Sequence, residues 1–507
     1  MKARIIKAML WPTLWPALLL AGCALPDAQP RVTPLAASAL GLAGDETAPV
    51  ADDWWQALGD PQLDRIMADA LARNPTLDQA MARLRSAEST LAAAGADRKP
   101  QATLDGSEQV QRLSKVYMIP PPYGGSTLAV GELTANLSYD LDFWGRQADR
   151  VRQARASAAA AALDVAAARL ALAGAVAQAY VELARSERTI DNAEAMIETR
   201  DRALRLLRLR AESLLDSDFD RRRAETLATE ARQVLLRARA DREAATHALA
   251  LLAGAGADYP AGIGPAHLSF DQLAPLPERI PADLLAHRPD ILGARLSIEA
   301  AAAGREVARK AFYPNINLLG IAGFQAMGLD KLLTTGAITA GGGAAIHLPI
   351  FDGGRLRADY AGATARLDAA VAGYNETVLA AIREAADAST RVVALGRDLS
   401  MQREASAGLA ELRRLGEVRF ESGLGSRLDL VDADMQLLAA RQQAIALEAD
   451  RAIAGIRLLV ALGGGFDAAL VKSAGGFGAA GMGSAGGFEV AAPETKAVAT
   501  AAQGNRE

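Results

Sequence analysis

Chemically reactive residues are scarce in this chain. Cys23 is the only cysteine among 507 residues, so a disulfide within one chain is impossible. The four histidines (His247, His267, His287 and His347) lack metal-ligand spacing, and no Gly-x-Ser-x-Gly elbow presents a nucleophile. The formal net charge is a mild −5, which does not indicate a nucleic-acid partner. We therefore expect a protein that is not an enzyme and that has no catalytic, metal or cofactor site.

Proline is absent from two long stretches. None occurs between Tyr123 and Tyr259 or between Ile350 and Ala492, and alanine and leucine dominate there, which favours long helices. Beyond the amino terminus, no segment has the roughly 18 uninterrupted apolar residues of a membrane-spanning helix. Any passage through a membrane must then use something other than helices.

The amino terminus has the features of a lipoprotein signal peptide, residues 1–22. A basic start precedes an apolar run that ends in Leu20-Ala21-Gly22-Cys23, a quartet that resembles the lipobox of bacterial lipoproteins. The alternative is a stray cysteine in a simple signal peptide. Lipidation would account for the presence of Cys23. An aspartate directly after the cysteine would hold such a lipoprotein at the inner membrane, but Ala24 stands there, so outer-membrane sorting is favoured. Residues 23–52 are predicted to be a low-order tether, and the Gly- and Ala-rich residues 467–507 a disordered tail.

The rest of the chain contains an internal duplication. Asn74-Pro75 and Lys99-Pro100 correspond to Arg288-Pro289 and Tyr313-Pro314 at an offset of 214 residues. The offset then becomes 209, aligning Gly145-Arg146 with Gly354-Arg355, Glu212-Ser213 with Glu421-Ser422, Phe219-Asp220 with Leu428-Asp429 and Gly254 with Gly463. Offsets that stay constant over such distances indicate a tandem duplication. We predict a first structural repeat at residues 53–265 and a second at 266–466.

Each repeat is predicted to contain a medium helix, a strand pair and two long helices. The strand-like segments alternate apolar and polar residues. Their apolar sets are Leu133, Ala135, Leu137, Tyr139 and Leu141; Ile316, Leu318, Gly320, Ala322 and Phe324; and Ile338, Ala340, Ala344, Ile346 and Leu348. The first long helix, from Gly145 to about Glu212, has a length of roughly 100 Å. Alanine-rich seams favour antiparallel coiled-coil packing, and a plain solvated bundle is the alternative.

Two hairpins supply only four strands, too few to close a membrane barrel. Unpaired edges in hydrocarbon cost several kcal/mol per group, so the sheet must close. Known membrane barrels begin at about eight strands, whereas three copies of this chain would supply about twelve. The strands therefore predict an oligomer in which several chains share their hairpins, with the long helices forming a tube that projects from the barrel.

Five motifs make the chain resemble the TolC-like outer-membrane factors, and in particular their NodT-type lipoprotein branch. In order, they are Tyr139-Asp140-Leu141-Asp142-Phe143-Trp144-Gly145-Arg146, Leu284-Leu285-Ala286-His287-Arg288-Pro289-Asp290, Phe312-Tyr313-Pro314, Leu348-Pro349-Ile350-Phe351-Asp352-Gly353-Gly354-Arg355 and Leu462-Gly463-Gly464-Gly465. The resemblance implies a mainly α trimer, with a twelve-stranded outer-membrane β-barrel continued by a periplasmic α-helical barrel. It also implies a periplasmic adaptor protein and an inner-membrane efflux pump as partners.

The resemblance further implies roles for residues around the second helical break. Gly423, Leu424, Gly425 and Ser426 match the tip where the adaptor docks. In the first repeat Leu214 and Asp216 stand in place of the two glycines, so the docking assignment depends on the second tip. Just beyond it, Leu428 and Asp432 match the residues that close the tunnel, and a threefold axis would bring three of each together. Ordinary seam packing of Leu428 and a solvated Asp432 are the alternatives.

Met435 stands where relatives can carry an arginine, so no salt-bridge lock is expected at that position.

Two functions of different class follow from these patterns. The first is the outer-membrane channel of a tripartite efflux or export system. The second is a non-conducting coiled-coil scaffold lipoprotein of the envelope. A scaffold does not require alternating strands at equivalent points of both repeats, so the strand pairs favour the channel. The sequence does not specify the transported substrate, because a generic lumen leaves substrate choice mostly to the pump.

Overall fold

A computed structural model of the chain describes residues 28–35, 51, 53–116, 122–213, 217–268, 270, 288–464 and 466. These residues belong to one compact unit that ends at Phe466. A second unit, Asp467–Glu507, lies outside the described residues, as do the predicted signal peptide and Cys23. The predictions made for those segments stay predictions.

Apart from one additional helix at the start of the first half, the described elements follow the same order in both halves. The first half contains α1 (Pro61–Arg73), α2 (Pro75–Ala96), β1 (Gln101–Arg112), β2 (Thr127–Asp140), α3 (Arg146–Glu212) and α4 (Asp218–Leu252). The second half contains α5 (Pro289–Lys310), β3 (Asn315–Met327), β4 (Ile338–His347), α6 (Arg355–Glu421) and α7 (Arg427–Ala461). Short 3-10 turns lie at Trp54–Leu58, Tyr259–Gly262, Leu329–Lys331 and Thr335–Ala337.

Equivalent helices of the two halves have identical lengths. Helices α2 and α5 each have 22 residues, α3 and α6 each have 67, and α4 and α7 each have 35. Before each 67-residue helix lies an aspartate that accepts backbone N–H groups of the helix's first turn. Asp142 accepts from Gln147 and Ala148 at 3.0 and 2.9 Å, and Asp352 accepts from Leu356 at 2.8 Å. The predicted mainly helical fold with a small β part is confirmed.

The four strands form one antiparallel sheet in the order β1-β2-β3-β4. Strand β2 pairs with β1 through Leu104↔Ala135 and with β3 through Ala135↔Ala322. Strand β3 pairs with β4 through Ala322↔Ala340. The sheet therefore joins the hairpins of the two halves, and β1 and β4 lie at its edges.

The long helices pack as two antiparallel pairs, α3 with α4 and α6 with α7, and α3 also packs along α7. By length and composition, α3 is the one helix in the described ranges that could cross a membrane, because an 18-residue window reaches a mean hydropathy of 1.6. Its buried Val176, Ala177 and Tyr180 belong to the main core, with Leu63 of α1 and Ile456 of α7. These buried side chains identify the middle of α3 as a packing centre of the helical part.

A polar network lies inside this core. The buried Asp60 carboxylate accepts hydrogen bonds from the Tyr180 hydroxyl at 2.6 Å, the His267 backbone at 2.7 Å and the Gln62 backbone at 2.9 Å. Burial by itself would raise the pKa of Asp60, but the hydrogen bonds from Tyr180, His267 and Gln62 outweigh it and hold the pKa below its ordinary value. The network ties α1, α3 and the segment that follows α4 together.

Candidate functional site

The sheet has one apolar face. Because side chains alternate between faces, the strand register places the three predicted apolar sets on the same side. On this face Leu104, Ile338 and Ile346 are largely exposed. On the opposite face most side chains of β1 and β2 are polar, and Asp105 accepts hydrogen bonds from Thr103 and Asn136 at 2.9 and 2.8 Å, whereas β3 carries the apolar Leu319 and Ile321 there. A sheet with one apolar face and polar side chains on much of the other can separate hydrocarbon from water.

The two edges of the sheet are open in the single chain. Within the described residues, β1 pairs only with β2, and β4 pairs only with β3. Each edge strand therefore presents a row of backbone N–H and C=O groups beside an apolar surface. In a membrane such edges must be paired, because hydrocarbon offers them no hydrogen bonds.

Exposed apolar side chains also surround the junctions between the sheet and the long helices. Phe143, Trp144, Ile350 and Phe351 are exposed there, and Phe351 is 92% accessible. We call these four residues the collar. The Trp144 ring stacks on Tyr313 with centroids 5.1 Å apart, and its N–H donates to the Pro314 carbonyl oxygen at 2.8 Å. Sequence reasoning used these residues only as family motifs, although aromatic residues just after a strand are a signal for a membrane interface.

The predicted docking tip is the turn between α6 and α7. The Gly423 N–H donates to Phe420 O at 3.0 Å and the Leu424 N–H donates to Arg419 O at 2.8 Å, the pattern of a Schellman motif. This motif needs a left-handed residue after the helix, and Gly423 supplies it with φ 71°. In many Schellman motifs the second residue after the helix, here Leu424, packs against an apolar side chain of the last helical turn. Leu424 is instead 73% exposed. The turn therefore presents a free leucine at its end.

Ser426 and Gly425 complete this turn in different ways. Ser426 caps α7 in a capping box: its hydroxyl accepts the Asp429 N–H at 3.2 Å, and the Asp429 carboxylate accepts the Ser426 N–H at 2.9 Å. Gly425 is the second glycine of the predicted tip. A Cβ at this position would meet Arg419 and Phe420 only at 3.5 Å, which is ordinary contact. The backbone thus requires glycine at 423 but not at 425.

The first repeat has a related helix cap. Ser217 caps α4 as Ser426 caps α7, because the Asp220 N–H donates to its hydroxyl at 3.3 Å. Leu214, Leu215 and Asp216 lie outside the described residues.

The predicted closing residues lie on the first turns of α7. Leu428 is half-buried and Asp432 is exposed. Met435, one turn further, is buried in a small apolar cluster with Ala203 and Val431. Sequence reasoning missed Arg200 of α3: burial lowers the pKa of its guanidinium, and the Asp432 carboxylate acts in the opposite sense. Asp432 of α7 therefore interacts electrostatically with the cation Arg200 of α3. Met435, which is uncharged, cannot supply such a cation from α7 itself.

Polar contacts hold α7 against α3 in the part of α7 that follows Met435. The buried Asn192 side chain of α3 donates through Nδ2 to the Leu438 carbonyl and to Gln442 Oε1 of α7, both at 3.1 Å. Gln442 in turn donates to Thr189 Oγ1 at 3.1 Å. Further along, Arg188 forms an ion pair with Glu448 at 3.0 Å. These contacts, which no local sequence pattern indicates, set the position of the helix that carries Leu428 and Asp432.

Among the residues that the structure describes, no three His, Cys, Asp or Glu side chains are grouped as a metal site.

Comparison with known proteins gives consistent matches. The family model described as "Outer membrane efflux protein" matches residues 66–255 and 280–464. Multidrug resistance outer membrane protein MdtP of Escherichia coli (strain K12) is 30% identical over 429 residues, covering 82% of this chain and 87% of MdtP. Fusaric acid resistance protein FusA of Burkholderia cepacia is 36% identical over 367 residues, covering 69% and 68%. The crystal structure of outer membrane protein VceC from Vibrio cholerae matches with TM-score 0.75 at 34% identity, covering 83% of this chain and 100% of VceC.

A sheet with one apolar face, joined to long paired helices, defines an outer-membrane channel protein with a periplasmic helical extension. The chain belongs to the outer membrane efflux protein family, as the sequence resemblance indicates. It is an outer-membrane component of an efflux system. The predicted family, function and outer-membrane location are confirmed.

Proposed function

We propose that three copies of this chain assemble into a sealed exit duct, which receives substrates from a periplasmic adaptor and an inner-membrane pump. The observation that carries this proposal is the four-stranded sheet with two open edges and an exposed apolar face. Pairing β1 of one copy with β4 of the next removes both edges. Three copies give about twelve strands, enough to enclose a lumen.

The second helical turn is the proposed adaptor-docking site. Gly423, Leu424, Gly425 and Ser426 end the α6–α7 pair, and the two caps hold the turn rigid. An exposed leucine on a rigid turn is an anchor of the kind that protein interfaces bury. The adaptor is therefore expected to cover Leu424.

Leu428 and Asp432 are the proposed gate. In a trimer, three copies of α7 would bring both residues towards the axis, where leucines exclude water and carboxylates repel one another. Because Arg200 interacts with Asp432 and Asn192 holds α7 on α3, closure depends on contacts within each chain as well as on the axis. Displacement of α7 from α3 would widen the opening.

Cys23 is the proposed lipid-attachment site, and the protein is proposed to have no catalytic role and no cofactor apart from this covalent lipid. Metabolic labelling with a palmitate analogue tests the attachment. Wild-type protein is expected to incorporate label and Cys23→Ser to incorporate none. Label retained by Cys23→Ser would place the lipid elsewhere.

Conductance in a planar bilayer tests the duct itself. Wild-type protein is expected to conduct rarely, and Leu428→Ala,Asp432→Ala to conduct far more often. Silence of both proteins would favour the non-conducting scaffold. A matched control is Asp398→Ala, which changes an exposed residue of α6 away from the turn and is expected to behave as wild type.

A further inference from the structure

A small pocket lies where the sheet meets the long helices. It is lined by the end of β2, the connection from β2 to α3, the end of α5 and the connection from α5 to β3. The collar residues Phe143 and Trp144 are among its lining residues, and so is Tyr313, on which the Trp144 ring stacks. The pocket is therefore at the level of the collar, where the apolar face of the sheet ends.

One cation of this pocket has no partner. Arg146 is half-buried, and its guanidinium forms no hydrogen bond or ion pair with any residue that the structure describes. It is the first residue of α3, where the helix dipole is positive and a cation is unfavourable. An anion bound beside Arg146 would offset both disadvantages.

The duplication provides an internal comparison. Arg355 occupies the equivalent first position of α6, and it forms an ion pair with Asp359, one turn further, at 3.2 Å. The corresponding residue of α3 is Arg150, which donates to the Gln147 side chain at 3.1 Å. The first repeat therefore lacks the carboxylate that neutralises the arginine of the second repeat, and Arg146 remains available to a ligand.

The remaining charged side chains at the pocket are paired, with one exception. Lys310 forms an ion pair with the buried Asp149 at 2.7 Å, and Asp142 accepts two backbone N–H groups of the first turn of α3. Among the described residues, the Asp140 carboxylate accepts only a long hydrogen bond, 3.4 Å, from the neutral Gln147 side chain. The pocket therefore presents one unpaired cation, Arg146, and one weakly bonded carboxylate, Asp140.

Assembly through the strand edges leaves the pocket uncovered. The pocket lies at the ends of β2 and β3, the two central strands of the sheet, whereas the proposed pairing between copies uses the edge strands β1 and β4. The long helices leave the sheet at this end and extend into the periplasm. The pocket is therefore at the level of the lipid headgroups of the inner leaflet of the outer membrane.

We propose that this pocket binds the headgroup of a zwitterionic phospholipid that carries a primary amine. Arg146 donates to the phosphate oxygens, to which a planar guanidinium is well matched, and the lipid ammonium donates to the Asp140 carboxylate. Trp144 and the rest of the collar contact the lipid beside its headgroup, as aromatic side chains do at membrane interfaces. A lipid with a net negative charge would be repelled by Asp140, and free phosphate has no amine for it.

Quenching of Trp144 by a brominated lipid measures this binding. The full-length protein is kept in micelles of dodecyl maltoside, which has no phosphate, and phosphatidylethanolamine with brominated acyl chains is added in increasing mole fraction. Trp144→Phe gives the background from the other tryptophans. We expect half-maximal quenching of wild type at a mole fraction about tenfold lower than that of Arg146→Ala, which loses a charged hydrogen bond to the phosphate.

The second repeat supplies the matched control. Arg355→Ala removes the equivalent arginine, whose partner is Asp359 of the same helix, and it is expected to behave as wild type. The same half-maximal mole fraction for wild type and Arg146→Ala would overturn the site.

Two other brominated lipids test the headgroup chemistry. Diacylglycerol, which lacks phosphate, is expected to quench wild type and Arg146→Ala equally. Phosphatidylcholine, whose quaternary ammonium has no N–H, is expected to bind wild type more weakly than phosphatidylethanolamine does, and Asp140→Asn should remove that difference. Equal binding of the two phospholipids by wild type would overturn the assignment of the amine to Asp140.

Inorganic phosphate distinguishes a lipid headgroup from free phosphate as the ligand. At millimolar concentration it should leave the quenching of wild type unchanged, and displacement of the brominated lipid would overturn the lipid as the ligand. Retention of the oligomer on a native gel shows that a variant is folded. If Arg146→Ala is not folded, Arg146→Gln, which removes the charge and keeps a polar side chain, decides the comparison with wild type.

Discussion

Replacing Asn192 by alanine is expected to increase the open probability of the channel. Asn192 is buried on α3, and its amide is the donor of two hydrogen bonds to α7, one to the Leu438 carbonyl and one to Gln442. Alanine removes both without adding bulk. Helix α7 carries Leu428 and Asp432, so its hold on α3 is part of the barrier to opening.

The size of the effect follows from those two contacts. Each neutral hydrogen bond contributes about 0.5–1.5 kcal/mol net, so the loss of both weakens the α3–α7 contact by about 1–3 kcal/mol per chain. A shift of that size changes a two-state ratio by roughly 5- to 160-fold. If the three chains of the proposed trimer open together, the free-energy changes of the three chains add. We then expect the channel to be open for most of a single-channel recording.

Single-channel recording in planar bilayers measures this open probability. The matched control is Glu194→Ala, two residues along α3: Glu194 is 53% exposed and pairs with Arg239 of α4 at 3.1 Å, not with α7. We expect Asn192→Ala to open and Glu194→Ala to behave as wild type. The reasoning is refuted if Asn192→Ala stays closed, or if both variants open equally.

Three further predictions concern the sheet, the tip and the core. A Cβ at Gly323 would overlap the Leu133 carbonyl oxygen, whereas a Cβ at Gly343 meets nothing within 4 Å. Gly323→Ala should therefore destabilise the sheet by about 1–3 kcal/mol and weaken the heat-resistant oligomer on gels. Gly343→Ala is the control and should leave the oligomer unchanged. Gly423→Ala should strain the tip by about 1–2 kcal/mol and reduce crosslinking to the adaptor, whereas Gly425→Ala should preserve it. Because the pKa of Asp60 is lowered on folding, the stability from its charge is complete above the unfolded-state value of about 3.9 and is lost as pH falls through the folded value. Asp60→Asn should therefore unfold more easily than wild type at pH 7, and the difference in denaturant midpoint should shrink near pH 3; a gap that does not change with pH would contradict this.

Local signals made the helices predictable from the sequence. The proline-free stretches and the repeated Gly-Arg and Glu-Ser pairs set the ends of α3 and α6 to within a residue of the structure. The alternation of apolar residues also identified the face of the sheet that is apolar. Both signals are local, because helix caps and strand alternation depend on residues close in the chain.

Contacts between distant segments were not predictable. Asn192 donates a hydrogen bond to Leu438, 246 residues further along the chain, and residues 28–35 contact α6 at a separation of more than 300 residues. No rule based on sequence spacing predicts contacts between residues so far apart. The contacts of residues 28–35 with α6 are harder still to predict, because they use backbone groups of that segment and not distinctive side chains. The electrostatic interaction between Asp432 and Arg200 also joins distant parts of the chain, so no residue near Asp432 in the sequence indicates it.

Pairing of β1 with β4 of another copy is the central claim, and disulfide trapping tests it most directly. Within one chain the two edge strands are separated by β2 and β3, about 14 Å, too far for a disulfide. Cysteine pairs combining position 103 or 105 with position 339, 341 or 343 should therefore link only between copies, and the best-matched pair should yield a covalent trimer on denaturing gels. Monomers alone in every pair, after complete oxidation in the membrane, would contradict the sealed duct.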